Sequence, residues 1–425
     1  MPQRPSPSRS VTALALTGVL TLGLSACGDG QGDATSETTS ASDTSSSADS
    51  SSTTYSPSSE ASGSSSSTTR KRPAKGVSAC AATRAGELSQ AERAGQLLMV
   101  ALQPTAGQAG LDAQISGQHI GGVIYLGGWS GAETVRAASA HMQAVADEAS
   151  GIGLFVAADQ EGGEIQQLRG AGFPAMPSGV EQGQMDPAAL TTAATGWAKT
   201  LAGAGVNVNL APVADVVPTS IGTANEPIGK WGRQYGSTPE AAATSSDAYI
   251  RGMLAGKVAP TVKHFPGIGR ITGNTDLTAS GVNDTVMTRD DAYLKPFASG
   301  IKAGASFVMV GSATYPRIDA KNPAVFSSAI VDGMLRKDLG YEGVVITDDV
   351  GVAKAVSTTP PADRAVRFVE AGGDIVLTAD PGTTEAMTGG LIARAKADEA
   401  FSAKVEASVG RVLTLKEKMG LLDCG

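Results

Sequence analysis

Eight short apolar runs recur between residues 97 and 380: LLMVAL (97–102), GGVIYL (121–126), GLFVAAD (153–159), VNVNLAPVAD (206–215), VAPTVKHF (258–265), SFVMVGS (306–312), GVVITDD (343–349) and DIVLTAD (374–380). Most are nearly continuous Val, Ile, Leu and Ala with little polar alternation, the mark of strands covered on both faces. Most gaps between them are alanine-rich and helical in character, as at 132–150, 239–255 and 327–339. Strand and helix alternating eight times predict an α/β fold, a single-domain (β/α)8 barrel of the TIM type rather than an open doubly wound sheet. After the last run, Phe401, Val405, Val409 and Val412 fall at helical spacing and predict a closing helix over 401–418.

The ends of the runs carry the chemistry. Asp159 with Gln160 and Glu161, Asp215, Lys263 with His264, Asp348 with Asp349, and Asp380 all stand at C-terminal strand ends. A closed barrel brings such ends to one mouth, whereas an open sheet gathers its ligand groups at a single switch point. The densest stretch is VKHFPGIGRITGNTD (262–276), which sets Lys263, His264, Arg270, Asn274 and Asp276 among three glycines directly behind a strand. Such a loop suits a polar ligand. Alternation along an extended strand sends Asp348 and Asp349 to opposite faces, so one of them is expected at the mouth. A carboxylate held among Lys263, His264 and Arg233 stays ionised and suits a nucleophile or a cation stabiliser. Capping of the following helix is the competing role for a strand-end aspartate.

Ahead of the barrel the composition changes. Arg4 and Arg9 precede an apolar stretch at 11–24, and LSAC closes it at Cys27. The pattern resembles the bacterial lipobox, which implies a signal peptide over 1–26 and lipidation of Cys27. The apolar run is shorter than the roughly 20 residues that a membrane span needs. Residues 27–75 are dominated by Ser and Thr, bury almost nothing, and are expected to form a disordered tether before a folded domain at 76–425. The protein is therefore expected to be exported and held at the outer face of the cell membrane by its lipid anchor, as a monomer. A net charge of -8 speaks against nucleic acid as a partner. Cys80 and Cys424 bracket the folded region, and an oxidising compartment permits them to pair, with two free thiols as the alternative. His119, His141 and His264 show no metal-ligand spacing with the cysteines, so neither a metal nor another cofactor is expected.

Five strings in order, ADQEGGEIQQL (158–168), LAPVADV (210–216), IGKWGRQYGSTPE (228–240), VKHFPGIGR (262–270) and GVVITDDV (343–350), with AGGDIVLTAD (371–380) continuing the match, resemble glycoside hydrolase family 3. Within that family they are similar to the single-domain bacterial β-N-acetylglucosaminidases. The resemblance implies an exo-acting, retaining hydrolase that releases β-linked N-acetylglucosamine from chito-oligosaccharides or from peptidoglycan fragments such as muropeptides. It implies Asp348 as nucleophile and Asp159, Arg233, Lys263 and His264 as sugar-binding groups. Glu161 and Asp215 are expected to orient Arg233 or Lys263 through ion pairs.

One departure from the family pattern bears on the chemistry. Relatives usually carry Asp-Ser-His on the loop after KHFPG, with the histidine as acid/base and the aspartate orienting it. The corresponding positions here are Asn274, Thr275 and Asp276, and Ile268 stands where a second histidine is common. In the first of three readings, Asp276 is itself the acid/base, its pKa raised by burial or by Asp348, with Asn274 placing its carboxyl through a hydrogen bond. The second is a phosphorylase or transferase that needs no strong acid. The third is a non-catalytic module that binds cell-wall fragments.

Overall fold

The computed structural model describes residues 75–424. The expected signal peptide, Cys27 and nearly all of the expected tether lie outside the described residues. The barrel strands are β1 (Leu98–Leu102), β2 (Gly122–Tyr125), β3 (Phe155–Ala158), β4 (Val208–Asn209), β5 (Ala259–Phe265), β6 (Phe307–Val310), β7 (Val344–Thr347) and β8 (Val376–Thr378). They pair in parallel in the order β7-β6-β5-β4-β3-β2-β1-β8, which is chain order around a ring. The two ends of that order meet at a bridge between Ile346 and Ile375, where the Thr347 N–H donates to the Ile375 carbonyl at 2.9 Å. The fold is the nearly closed eight-stranded α/β barrel that the repeating apolar runs predict.

A helix follows every strand: Asp112–Gln118, Ala132–Ser150, Pro187–Gly203, Pro239–Ala255, Lys295–Ala303, Ala329–Asp338, Pro361–Ala371 and Thr384–Ala397, with Glu399–Lys418 closing the chain. Local sequence explains several starts. Asp186 accepts hydrogen bonds from the Ala188 and Ala189 N–H groups ahead of Pro187, and Thr238 accepts from Ala241 ahead of Pro239. Small residues then let helices approach closely. Gly252 stands where a Cβ would lie 2.5 Å from the Ala194 Cβ, so the second of these helices can sit against the first only without a side chain there. The helix Ala329–Asp338 is wound with i→i+5 bonds, such as Gly333 N–H to Ser328 O at 2.9 Å. No helix among the described residues is long and apolar enough to cross a membrane.

The core fills the barrel. Every residue of β1, β2, β3, β5, β6 and β7 is buried, and the Phe155 and Phe307 rings meet edge to face at 5.2 Å across the interior. Burying such side chains contributes about 1.5–3 kcal/mol each. Near the N-terminal ends of the strands, Lys416 is fully buried, bonded to Gln96 Oε1 at 2.7 Å and lying 5.2 Å from the Phe155 ring centroid. Burial lowers its pKa to about 7. Cys80 and Cys424 are joined in a disulfide, with Cα atoms 6.0 Å apart, which ties the first helix (Ala79–Glu87) to the segment after the last.

The fourth strand departs from expectation. The run 206–215 reads as a single strand, but ladder pairing covers only Val208–Asn209 before resuming at a bridge between Val213 and Lys263. Pro212 lies between the two and has no N–H to donate. Its carbonyl still accepts from the Lys263 N–H at 3.1 Å, so the backbone remains in line and carries Asp215 to the mouth.

Candidate active site

At the C-terminal ends of the strands lies a cavity of about 320 Å³, lined by Asp159, Arg233, Lys263, His264, Asn274, Asp276, Asp348 and Asp349 together with apolar residues. A cavity of similar size, about 340 Å³, lies near the N-terminal ends of β7 and β8. Charged groups there are committed to one another: Arg336 and Arg411 both hold Asp374, at 2.5 and 2.7 Å, and Lys75 holds Glu342 at 2.6 Å. The mouth is the end with carboxylates left for a ligand.

Glu161 lies just behind the mouth and organises its cations. Its carboxylate takes Arg233 through two bonds, Nε at 2.8 Å and Nη2 at 2.7 Å, and takes Lys263 Nζ at 2.6 Å. Lys263 also reaches Asp159 at 2.5 Å, so four charges run in a line from Asp159 through Lys263 and Glu161 to Arg233. Burial opposes ionisation of Glu161, but Arg233 and Lys263 outweigh it and lower its pKa to about 2. Burial likewise opposes the charge on Lys263, and Asp159 and Glu161 overcome it, so the ammonium is held firmly. Asp215 takes neither cation, contrary to the sequence expectation. It accepts from His264 Nδ1 at 2.7 Å, from the His264 N–H at 3.1 Å and from the Ile268 N–H at 2.7 Å. With Nδ1 occupied, Nε2 is the ring nitrogen left to meet a ligand.

Lys263 and His264 are neighbours on a strand, yet both line the cavity. Between β5 and β6, Val262 pairs with Val308 but Phe265 pairs with Val310, so β5 carries one extra residue at this point. Such a bulge breaks the alternation of side chains and re-aims them. The adjacent Asp348 and Asp349 also both line the cavity, where alternation predicts only one. Here β7 ends at Thr347, so neither aspartate is part of a regular strand. The two aspartates differ in their hydrogen bonds. Asp349 accepts from the Gly351, Ala379 and Val352 N–H groups at 2.9, 2.7 and 3.1 Å, tying down the turn, and burial raises its pKa against those bonds. Among the described residues Asp348 accepts only the Asp349 N–H, at 3.0 Å, and keeps oxygen lone pairs for a ligand.

Asp276 stands on the loop beyond β5. Its pKa is raised to about 7, first by burial and then by the Asp348 and Asp349 carboxylates, against a smaller opposing pull from His264 and Arg233. Asp276 is exposed at the surface, which tempers the burial, but the two neighbouring carboxylates act in the same direction. Asn274 accepts from the Asp276 backbone N–H at 2.9 Å, so it fixes the turn rather than bonding the carboxyl itself. The loop is latched to the segment after β7, with Lys354 N–H to Asp276 O at 3.2 Å and Ala355 N–H to Thr275 O at 3.0 Å.

A model of the glycosyl hydrolase family 3 N-terminal domain matches residues 90–415. The chain belongs to glycoside hydrolase family 3. A β-N-acetylhexosaminidase structure from Beutenbergia cavernae DSM 12333 is 44% identical, with a TM-score of 0.75 over 78% of this chain and 99% of that one. A family 3 β-N-acetylglucosaminidase from Paenibacillus sp. FPU-7 is 30% identical, with a TM-score of 0.70 over 79% of this chain and 63% of that one. A β-hexosaminidase of Xanthomonas axonopodis pv. citri is 31% identical over 64% of this chain and 76% of its own length.

Within this family 3 barrel, one contributor to the site carries no signal in the sequence. Asn225, fully buried, donates to the Ile268 and Ile271 carbonyls at 2.8 and 2.7 Å and accepts from the Ile228 and Gly229 N–H groups at 3.0 and 2.7 Å. One side chain thus ties the Asp276 loop to the segment that carries Arg233. Arg270, prominent in the sequence, leaves the cavity and anchors that loop by a two-bond pair with Asp291 at 2.7 and 3.0 Å, its guanidinium stacked 3.6 Å over the Tyr293 ring. Asp380 bonds the Gly382 N–H at 2.9 Å and takes no part in the site. Gly162, at φ 107°, sits where a Cβ would lie 2.1 Å from the Pro177 carbonyl oxygen, so a close backbone approach within the protein requires it. Among the described residues the one grouping of possible metal-ligand atoms is Cys80, Glu417 and Cys424, whose two sulfurs are bonded to each other.

Proposed function

We propose that this family 3 glycoside hydrolase is an exo-acting, retaining β-N-acetylglucosaminidase in which Asp348 is the nucleophile and Asp276 the acid/base. The observation that carries the reading is a pair of carboxyls in one cavity with different environments: Asp276 is pushed up to about 7, while Asp348 retains lone pairs for attack. Two carboxyls in unlike surroundings are the usual basis for dividing acid and nucleophile roles.

In the first step Asp276 gives its proton to the glycosidic oxygen, the bond from that oxygen to the anomeric carbon breaks, and an Asp348 oxygen bonds to the anomeric carbon. In the second, Asp276, now a carboxylate, takes a proton from water as the water oxygen displaces Asp348. Two inversions at one carbon give net retention. Asp159, Lys263, Arg233 and His264 Nε2 offer acceptors and donors for the hydroxyls and acetamido group of a single terminal sugar. A carboxylate at position 276 repels phosphate as an acceptor and so favours water over phosphorolysis. The β-N-acetylglucosaminidase and β-N-acetylhexosaminidase relatives support an N-acetylated hexosamine as the sugar.

Export and anchoring through acylated Cys27 complete the proposal. Mass spectrometry of the N-terminal peptide from membrane fractions tests them. For the reaction, proton NMR of N,N′-diacetylchitobiose hydrolysis reads the first-formed anomer. Release of β-N-acetylglucosamine supports retention, release of the α-anomer excludes it, and absence of turnover excludes the hydrolase reading.

A further inference from the structure

Bonding to Asp374 does not exhaust the cations of the second cavity, the one near the N-terminal ends of β7 and β8. The three carboxylates that line it are each paired: Asp332 with Lys337 at 2.7 Å, Glu342 with Lys75 at 2.6 Å, and Glu370 with Arg394 at 2.9 Å. That leaves Arg336, Arg411 and Lys404 with Asp374 as their one carboxylate partner among the described residues. Arg336 takes one oxygen of Asp374 and Arg411 takes the other, so two guanidiniums share a single negative charge. Arg336 spends Nε and Nη1 on the Gly372, Tyr341 and Gly343 carbonyls. Lys404 Nζ meets only a neutral group, the Glu370 carbonyl at 2.5 Å. These bonds leave over Arg411 Nη1 and two N–H donors of Lys404. Burial lowers the Arg336 pKa, Asp374 opposes the change and Arg411 reinforces it, and the result lies below the usual guanidinium value. The positive charge gathered here is thus only partly offset.

The last helix arranges these cations in a row. Lys404, Arg411 and Lys418 recur at seven-residue intervals along Glu399–Lys418, which sets them on one face about 10 Å apart. Lys404 and Arg411 line the first cavity, while Arg411 and Lys418 line an adjoining one of about 290 Å³ that shares Tyr341 and Glu342 with it. We infer that this groove at the N-terminal end of the barrel binds a phosphate ester, with Arg411 and Lys404 holding the phosphate oxygens and Lys418 extending the row beneath the rest of the ligand. A guanidinium and an ammonium on one space suit a tetrahedral oxyanion, whose several oxygens accept bonds from different directions. The groove lies at the opposite end of the barrel from Asp276 and Asp348, so it stands apart from the proposed reaction.

Phosphorus NMR titrations of the full chain at constant ionic strength test the site, with glycerol 3-phosphate and glycerophosphoglycerol as probes. The first is a free monoester; the second is the diester headgroup of phosphatidylglycerol without its acyl chains. A dissociation constant of about 1 mM or lower is expected for at least one of them, the order that two or three charge-assisted bonds give at a site open to solvent. Tighter binding of the monoester identifies a soluble phosphate ester as the ligand, and tighter binding of the diester identifies a lipid headgroup. Lys404 is exposed and bonds only a carbonyl, so Lys404→Gln should leave the fold intact and weaken binding about tenfold. Arg411→Gln, with Asp374 still held by Arg336, should weaken it at least as much, and circular dichroism checks its fold; if that variant does not fold, Lys404→Gln decides alone. No binding of either probe below about 10 mM, equal affinity for acetate, or an affinity unchanged in Lys404→Gln overturns the site.

Discussion

Replacing Glu161 by Gln removes one charge from the buried line Asp159–Lys263–Glu161–Arg233 and leaves the two cations facing a neutral amide. The carboxylate is almost completely enclosed, with 6% of its side chain exposed, so solvent screening gives little relief. Its pKa falls from 4.5 to about 2 on folding, which corresponds to roughly 3 kcal/mol of stabilisation at neutral pH. Loss of one partner from a buried pair typically costs about 3–5 kcal/mol, in agreement. With an unfolding entropy of about 0.7 kcal/mol/K for ~350 residues, Glu161→Gln should lower Tm by about 4–7 °C at pH 7. Because the folded pKa is depressed, the stabilisation is present above pH 4.5 and is lost as pH falls toward 2. The Tm gap between wild type and variant should therefore hold between pH 6 and 8 and shrink by roughly half or more by pH 3. Scanning fluorimetry over that range, with circular dichroism to check the fold, measures it. A gap below 1 °C at pH 7, or one unchanged at pH 3, would refute the electrostatic reasoning.

Other outcomes follow from the same geometry. Asp348→Ala should abolish turnover, and trapping of a fluorinated glycoside on wild type but not on the variant, read by intact mass, checks the nucleophile. Since a general acid acts in its protonated form, kcat/KM of wild type on a disaccharide should decline as pH rises through about 7, and Asp276→Asn should remove that limb of the profile. Asn225→Ala leaves the Ile268 and Ile271 carbonyls without their donor and should reduce kcat/KM by about tenfold or more while destabilising the fold by about 1–3 kcal/mol, read by steady-state kinetics and denaturant titration. Lys416 binds fewer protons folded than unfolded between pH 7 and 10.5, so stability should rise with pH across that window, and Lys416→Met should raise Tm at pH 7 and flatten the dependence.

The barrel was legible because both faces of its strands are covered: continuous apolar runs need no alternation to be recognised, and the spacing of Phe401, Val405, Val409 and Val412 marks the last helix as plainly. What local sequence could not supply was any feature set by a partner far along the chain. Asp215 reads as a neighbour for any nearby cation, and only the path through Pro212 delivers it to His264. Alternation failed at two places for two reasons. An extra residue in β5 turns both Lys263 and His264 into the cavity, and β7 stops one residue before Asp348 and Asp349. Asn225 sits in a stretch with no chemical signature, and its importance lies in which carbonyls come within reach once two loops meet. Arg270 shows the converse, a prominent residue in the richest motif that serves packing instead of ligand contact.

The central claim is that Asp276 delivers the proton to the leaving group, and the leaving-group dependence of Asp276→Ala tests it most directly. On N,N′-diacetylchitobiose, whose leaving alcohol needs that proton, kcat/KM should fall about 10²- to 10⁴-fold. On the 2,4-dinitrophenyl glycoside, whose leaving phenolate departs unaided, bond cleavage measured by the pre-steady-state burst should be nearly unchanged. Equal losses on the two substrates would contradict general acid catalysis by Asp276.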